Sequence, residues 1–455
     1  MGKIEETIAE FIVGTNPEAI PEDCYRVVRD GCFDCVGVML AGAAEPHGRV
    51  ITDLVRREGA PGPCTVVGTD IRTAPAMAAL ANGTLAHALD YDDMGGFGHP
   101  SAVLFPAALA VAELTGASGR DLVAAYVVGF EVACHLSRGA NYVQGERGFH
   151  STAVFGTLGA TAAACRLLGL DRRRTVMALG IAASTPSGVL QNFGTHTKPL
   201  HAGLAARNGV MAALLARDGF LSSPDALAGP IGWAAAYLGE GRYDVEKMVR
   251  DLGKVWLSRE RIVIKKYPCC GSNHSALDSL LGLMKDYGFK AEDVEEVEVY
   301  GLPGIAHVLL YPEPEYAFQG KFSINYCLAS ALVDGQVDIG SFNEEKLARP
   351  ELKEALGKVE VKILPRWDPA YSHHPAETPV VVRLRDGRVL RRSTNRHTMR
   401  GSVTDPLTAE ELWAKFRANG ARSLPETQVE KALRLWWSLP ELSDLKAAAA
   451  SVAWV

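Results

Sequence analysis

The chain has 455 residues, of which 47% are hydrophobic and 22% charged, and a formal net charge of −6. That length exceeds what one hydrophobic core usually supports, so two domains are expected, in a composition typical of soluble globular proteins. No long run of either charge sign offers a footprint for nucleic acid or an anionic membrane surface, so a small anionic substrate must be met by local lysines and histidines.

The first stretch, MGKIEETIAEFIVG, reads as an amphipathic helix and lacks the basic-then-apolar layout of a secretory signal. Up to about residue 258 the sequence continues as helix after helix. PEDCYRVVRDGCFDCVGVMLAG, APAMAALANGTLAHALD, PSAVLFPAALAVAELTG, SGRDLVAAYVVGFEVACHLSRG and KPLHAGLAARNGVMAALLARDG carry apolar faces at i, i+3, i+4 spacing. Several open on Pro or Ser and close on Gly, the usual start and stop signals. Cys32 and Cys35 form a CxxC inside the first of these, but no second pair completes a zinc site, so core packing is expected. Nine cysteines, an odd number, point to reduced thiols in a cytoplasm. Residues 175–197 hold no Asp, Glu, Lys or Arg, yet Pro186, Gln191 and Asn192 interrupt them, so a buried helix and a loop are expected instead of a membrane span.

Beyond residue 258 the texture changes. ERIVIKKYP, VEEVEVYG, GKVEVKILP and TPVVVRLRDGRVLRRSTN read as strands, the last with an Asp-Gly hairpin turn. SNHSALDSLLGLMKDYG and FSINYCLASALVDG are helical between them. TDPLTAEELWAKFRANGA returns to helix, with Thr408 and Glu411 spaced as a capping box. The expected architecture is a mainly α domain over 1–258, a smaller α+β domain over 259–400, and C-terminal helices over 401–455 that rejoin the first.

The chemistry concentrates in HALDYDDMGGFGHPS, residues 87–101. A calcium loop starting at Asp90 fails, because its fifth position is Met94 and its twelfth Ser101. No HExxH motif is present, so no metal is expected. Nor is a nucleotide cofactor: there is no GxGxxG, and Gly320-Lys321 precedes Phe322, with Glu315 where a phosphate loop needs Gly. Proton transfer remains. A helix running through this stretch would put His87 and Asp90 one turn apart on one face, and His99 would precede the helix opened by Pro100, where the dipole tunes its imidazole. The plainer alternative is that these side chains cap helices and satisfy loop amides.

HALDYDD and HPS, then GFHSTAVFGTLGA, TKPLHAGLAARNG and IKKYPCCGSNHSALD, in this order over nearly the whole chain, resemble the MmgE/PrpD family of 2-methylcitrate dehydratases. That family includes cis-aconitate decarboxylase and iminodisuccinate epimerase. The resemblance implies a helical domain with a smaller lid domain, a homodimer, and catalysis on a small di- or tricarboxylate without metal or organic cofactor. It places Asp90, His99, His150 and Tyr326 in the pocket as catalytic candidates, and Lys198, Lys265, Cys270 and His274 as substrate-binding ones. Met94 stands where relatives commonly have Thr, which removes a hydroxyl, and Cys270 stands where the decarboxylase has a further His. Cys269 or Cys270, just before a helix, is alternatively an activated thiol paired with His274. Lys198 precedes Pro199, the expected first helical residue, so its ammonium and the helix amides would share one carboxylate; by sequence alone it is a surface lysine.

The leading expectation is a lyase that dehydrates a β-hydroxy di- or tricarboxylate such as 2-methylcitrate or citrate. Lys198 and Lys265 would hold carboxylates and offset enolate-like charge, and His99 or His150 would move the proton. Epimerisation or decarboxylation in the same pocket, and an inactive dimeric carboxylate binder, are the alternatives. Selectivity is expected from segments 300–320 and 365–376.

Overall fold

The computed structural model describes residues 3–366, 368 and 377–454, so most of the 365–376 segment lies outside the described residues. Contacts divide the chain into one unit of Met1–Gln191, His196–Ile264 and Thr408–Val455, and another of Asn192–Thr195 and Lys265–Leu407.

The first unit is helical for the reasons visible in its sequence. Lys3–Gly14 buries Ile4, Ile8, Ala9 and Ile12 along one stripe and turns Glu10 and Val13 to solvent. Pro75–His87 and Pro100–Thr115 each open on proline, where the missing N–H costs nothing. Gly116, left-handed at φ 70, closes the second of these, and Ser118 with Asp121 forms the capping box of Gly119–Ala140. Ser151–Leu167, Arg172–Ala183 and Thr197–Arg217 follow. Ala409–Gly420, Glu426–Trp437 and Lys446–Ser451 belong to the same unit, the first capped by Thr408 and Glu411 as expected. Cys32 and Cys35 are fully buried in the helix Glu22–Ala44. No described helix is long and apolar enough to cross a membrane.

One crossing in this unit is closer than side chains permit. A β-carbon on Gly203 would lie 2.2 Å from the Thr84 hydroxyl and 2.3 Å from the Leu80 carbonyl, and one on Gly83 would lie 2.8 Å from the Gly203 Cα. Backbone therefore rests on backbone where Pro75–His87 meets Thr197–Arg217. His87 stands one turn past this crossing, and Lys198 and His201 stand just before it.

The second unit is built on a four-stranded sheet ordered Val359–Ile363, Val294–Gly301, Glu377–Leu384, Val389–Asn395, with the first pair parallel and the others antiparallel. The Asp386-Gly387 hairpin forms as expected, with Gly387 at φ 91. His274–Tyr287 and Ile324–Asp334 supply its main helices. ERIVIKKYP is not a strand, which corrects the sequence expectation. Ser258–Arg261 is one helical turn, and Val263 pairs only with Met94, through N–H···O bonds of 2.8 and 2.9 Å. β-branched residues without a neighbouring strand have no ladder to join; here they pin the loop at Met94 instead.

Because the crossing leaves no room for a methyl group, Gly203→Ala is expected to destabilise the protein by at least about 2 kcal/mol in urea unfolding. Gly14→Ala, where a β-carbon meets nothing within 4 Å, should stay within about 0.5 kcal/mol of wild type.

Candidate active site

The helix Pro75–His87 stops at His87, and Asp90 takes a left-handed backbone at φ 51, so the helix does not carry Asp90 as the sequence suggested. Such a conformation is uncommon outside glycine and must be held by its surroundings. Several contacts hold it. Asp90 N–H donates to the His87 carbonyl at 3.1 Å. Lys415, from the C-terminal helix Ala409–Gly420, donates to the Tyr91 carbonyl at 2.9 Å and pairs with Asp34 at 2.8 Å. Its ammonium lies 3.8 Å over the Tyr91 ring. Asp93 accepts the N–H and hydroxyl of Ser101 at 2.9 and 2.6 Å, which ties the loop to the start of Pro100–Thr115. His99, the residue before that helix as expected, donates its N–H to the Thr152 hydroxyl at 3.1 Å.

Within this frame the side chains converge. Asp92 Oδ1 lies 2.8 Å from His87 Nδ1, and its Oδ2 lies 3.1 Å from His99 Nδ1. Lys198 Nζ lies 2.7 Å from His87 Nε2 and 2.9 Å from Asp90 Oδ2, and His99 Nε2 lies 3.9 Å from Asp90 Oδ1. The His87 and His99 ring centres are 4.2 Å apart, and that of His150 is 6.2 Å from each. His150 Nδ1 meets His201 Nδ1 at 3.2 Å. The helix begins at Thr197, not Pro199, which puts Lys198 inside its first turn. Lys198 is also buried, not a surface lysine, because Asp90 and His87 compensate the charge that burial would otherwise expel. His99, with 13% of its side chain exposed, is the most accessible member of the cluster.

Burial, aided by Lys198 and opposed by Asp92, lowers the His87 pKa. Burial first, then Lys198 and the neighbouring imidazoles, holds His150 well below the ordinary histidine value and brings His201 to about 4. These imidazoles are therefore neutral at physiological pH. Asp92 runs the other way: burial alone would raise it, but His87 and His99 hold it well below the carboxylate range. A carboxyl held that low stays ionised. Asp93, buried next to Asp92 and only partly relieved by Ser101, is raised to about 8 and keeps its proton.

The arrangement thus brings together Asp90, His99, His150 and Lys198, and adds His87, Asp92 and His201, which the motif reading had not assigned to the site. Their signals were present: His201 stands one turn after Lys198 in KPLH, and His87 and Asp92 flank Asp90 in HALDYD. The other four expected residues belong to the second unit. Lys265 is fully buried there, Cys270 donates its N–H to the Lys321 carbonyl at 3.0 Å, and the His274 ring meets Tyr267 edge-on at 5.1 Å. Cys269 is an acidic thiol. Burial would raise it, but Cys327, His274 and Lys265 bring it down to about 5. Tyr326 does not offer the proton expected of it, because its hydroxyl donates to the Ser341 carbonyl at 2.6 Å and its ring packs against Phe342, Leu352 and Ala355.

His87, Asp90, Asp92 and His99 also lie close enough to ligate a metal ion, as do His87, His99 and His150. In the first set the Lys198 ammonium already stands between His87 and Asp90, so a divalent ion would have to displace it against direct charge repulsion. Glu296, Glu298 and Glu360 form a third group, on the sheet, where Lys362 and Arg383 neutralise them.

A helical unit that buries imidazole, carboxylate and ammonium groups in mutual contact, joined in one chain to an α+β unit, defines a protein equipped for acid–base chemistry. The MmgE/PrpD N-terminal domain matches residues 6–246 and the MmgE/PrpD C-terminal domain residues 267–439; the chain belongs to the MmgE/PrpD family. Among curated relatives it is similar to cis-aconitate decarboxylase of Mus musculus, 29% identical over 97% of this chain and 91% of that protein. The Homo sapiens cis-aconitate decarboxylase is 32% identical over 82% of this chain and 79% of its own length. That of Aspergillus terreus is 27% identical over 94% and 91%.

The Asp93 proton has a consequence for stability. The folded state keeps it up to about pH 8, whereas the unfolded chain releases it near 3.8. Between those values the native state binds more protons, so stability falls as pH rises, by about 1.4 kcal/mol per pH unit at most. Asp93→Asn cannot ionise and keeps an acceptor for Ser101. In urea unfolding it should gain on wild type steadily from roughly pH 5 to 8 and level off above; a pH-independent difference would contradict a protonated Asp93.

Proposed function

We propose that this protein is a cofactor-independent lyase acting on a small tricarboxylate, with decarboxylation of cis-aconitate as the first reading. The observation that carries it is the buried Lys198–Asp90–His99 constellation with neutral His150 beside it, in a chain similar over almost its whole length to curated cis-aconitate decarboxylases. The substrate is a β,γ-unsaturated acid. When its CH₂–CO₂⁻ bond breaks, the electron pair shifts across the double bond, carbon dioxide leaves, and the far alkene carbon takes a proton to give methylenesuccinate. The protein must hold the retained carboxylates, offset the charge that develops, and deliver that proton.

Lys198 supplies the fixed positive charge, already desolvated and therefore acting through low dielectric. His99 is the proton donor. It is the most accessible imidazole of the cluster, and with its Nδ1 3.1 Å from Asp92 its Nε2 is the nitrogen that takes up a proton and passes it on. Neutral His150 donates or accepts a hydrogen bond without adding charge. A second reading, dehydration of a β-hydroxy tricarboxylate such as 2-methylcitrate or citrate, is favoured by Met94, which stands where relatives commonly place Thr. There the same groups would remove a proton beside one carboxylate and protonate the departing hydroxyl.

Purified protein is expected to release carbon dioxide from cis-aconitate with methylenesuccinate appearing in proton NMR; appearance of an unsaturated acid from 2-methylcitrate or citrate instead would decide for the second reading. His99→Asn keeps a donor for Asp92 but removes Nε2, and should lower kcat/KM by about 10²–10⁴-fold. Folded protein that turns over none of these acids would overturn the proposal.

A further inference from the structure

The family chemistry does not account for Asp92, which is itself fully buried yet is the point where two imidazoles of the cluster meet. We propose that Asp92 is a positioning residue that fixes His87 and His99 in the Nδ1–H tautomer, presenting the Nε2 lone pair of His87 to Lys198 and that of His99 toward the Asp90 side of the site. The consequence for turnover rests on the lyase reading above; the tautomers do not.

Three observations support this assignment. An ionised carboxylate only accepts, so the ring nitrogens 2.8 and 3.1 Å from the Asp92 oxygens must both be N–H. The same His99 Nδ1 lies 3.2 Å from the Asp93 backbone carbonyl, a second group that can only accept. The Lys198 ammonium only donates, so His87 Nε2, 2.7 Å away, must carry a lone pair, which in a neutral ring places the proton on Nδ1. Asp92 is fully buried. By contrast, His150 and His201 meet through their two Nδ1 atoms with no carboxylate bonded to either at that contact, so either can be the donor. A single carboxylate therefore runs two limbs, one through His87 to Lys198 and one to the Nε2 of His99. Orienting an imidazole through its far nitrogen is an established means of setting which nitrogen reacts.

The test begins with wild-type protein labelled with nitrogen-15 at histidine, its His87 and His99 signals assigned by their loss in His87→Gln and His99→Asn. Both neutral rings are expected to carry the proton on Nδ1. In Asp92→Asn the amide accepts from one ring but donates to the other and should flip it to the Nε2–H form. Turnover should fall by about 10²–10⁴-fold with KM within about threefold, while Asp92→Glu recovers part of the rate. An Nε2–H ring in the wild type, or unchanged tautomers in folded Asp92→Asn, overturns the assignment. The wild-type spectrum decides the point even if the variant does not fold. Protein showing these tautomers but inert toward every carboxylate would count against the lyase reading alone.

Discussion

The site depends on the contact of two backbones. Where the helices Pro75–His87 and Thr197–Arg217 cross, Gly83 and Gly203 leave out β-carbons that would hold them apart. Each glycine inside a helix costs roughly 0.5–1 kcal/mol relative to alanine, a loss the chain accepts in order to bring residues distant in sequence within hydrogen-bonding reach. Lys198 and His87 are separated by 111 positions and meet at 2.7 Å. A β-carbon at either glycine would push the two helices apart and strain that contact.

From that contact follows the electrostatic character of the cluster. Removing two charges from water is expensive, and a buried pair is stabilising only when its geometry and remaining hydrogen bonds are good. Here the ammonium is shared between a carboxylate and an imidazole, and the second carboxylate lies within hydrogen-bond distance of two rings. Neutral histidines fill the space around these charges. The unusual backbone of Asp90 is sustained from three directions, by Lys415 at Tyr91, by Ser101 at Asp93 and by Val263 at Met94. A strained loop anchored on every side is what keeps reactive groups in place without a substrate to organise them.

Much of the fold was legible because its signals are local. Prolines at helix starts, the Thr408–Glu411 box, the Asp-Gly turn and the apolar stripes specify elements whatever surrounds them. The exception, ERIVIKKYP, shows the limit: β-branched residues propose a strand, but only a neighbour can make one. The site was legible as a set of residue types and much less as a set of contacts. Asp90 and His99 could be singled out from their stretch. The buried state of Lys198 could not, since a lysine looks the same until its partners arrive from another helix. His201 lay one turn away in a quoted motif and went unassigned, because spacing alone does not separate a histidine that meets another imidazole from one that fills a helix face. Tyr326 failed in the opposite sense: a hydroxyl that looks available in sequence is already engaged by a backbone carbonyl.

The tie between Lys415 and the Tyr91 carbonyl spans 324 residues. A ribosome makes the strained loop 324 residues before its fastener, so a nascent chain can assemble much of the helical unit while Asp90 still lacks one of its restraints. Helices that pack with near neighbours form quickly, whereas a contact of such long sequence separation comes late. The reactive groups are thereby set in order only after Lys415 has been made.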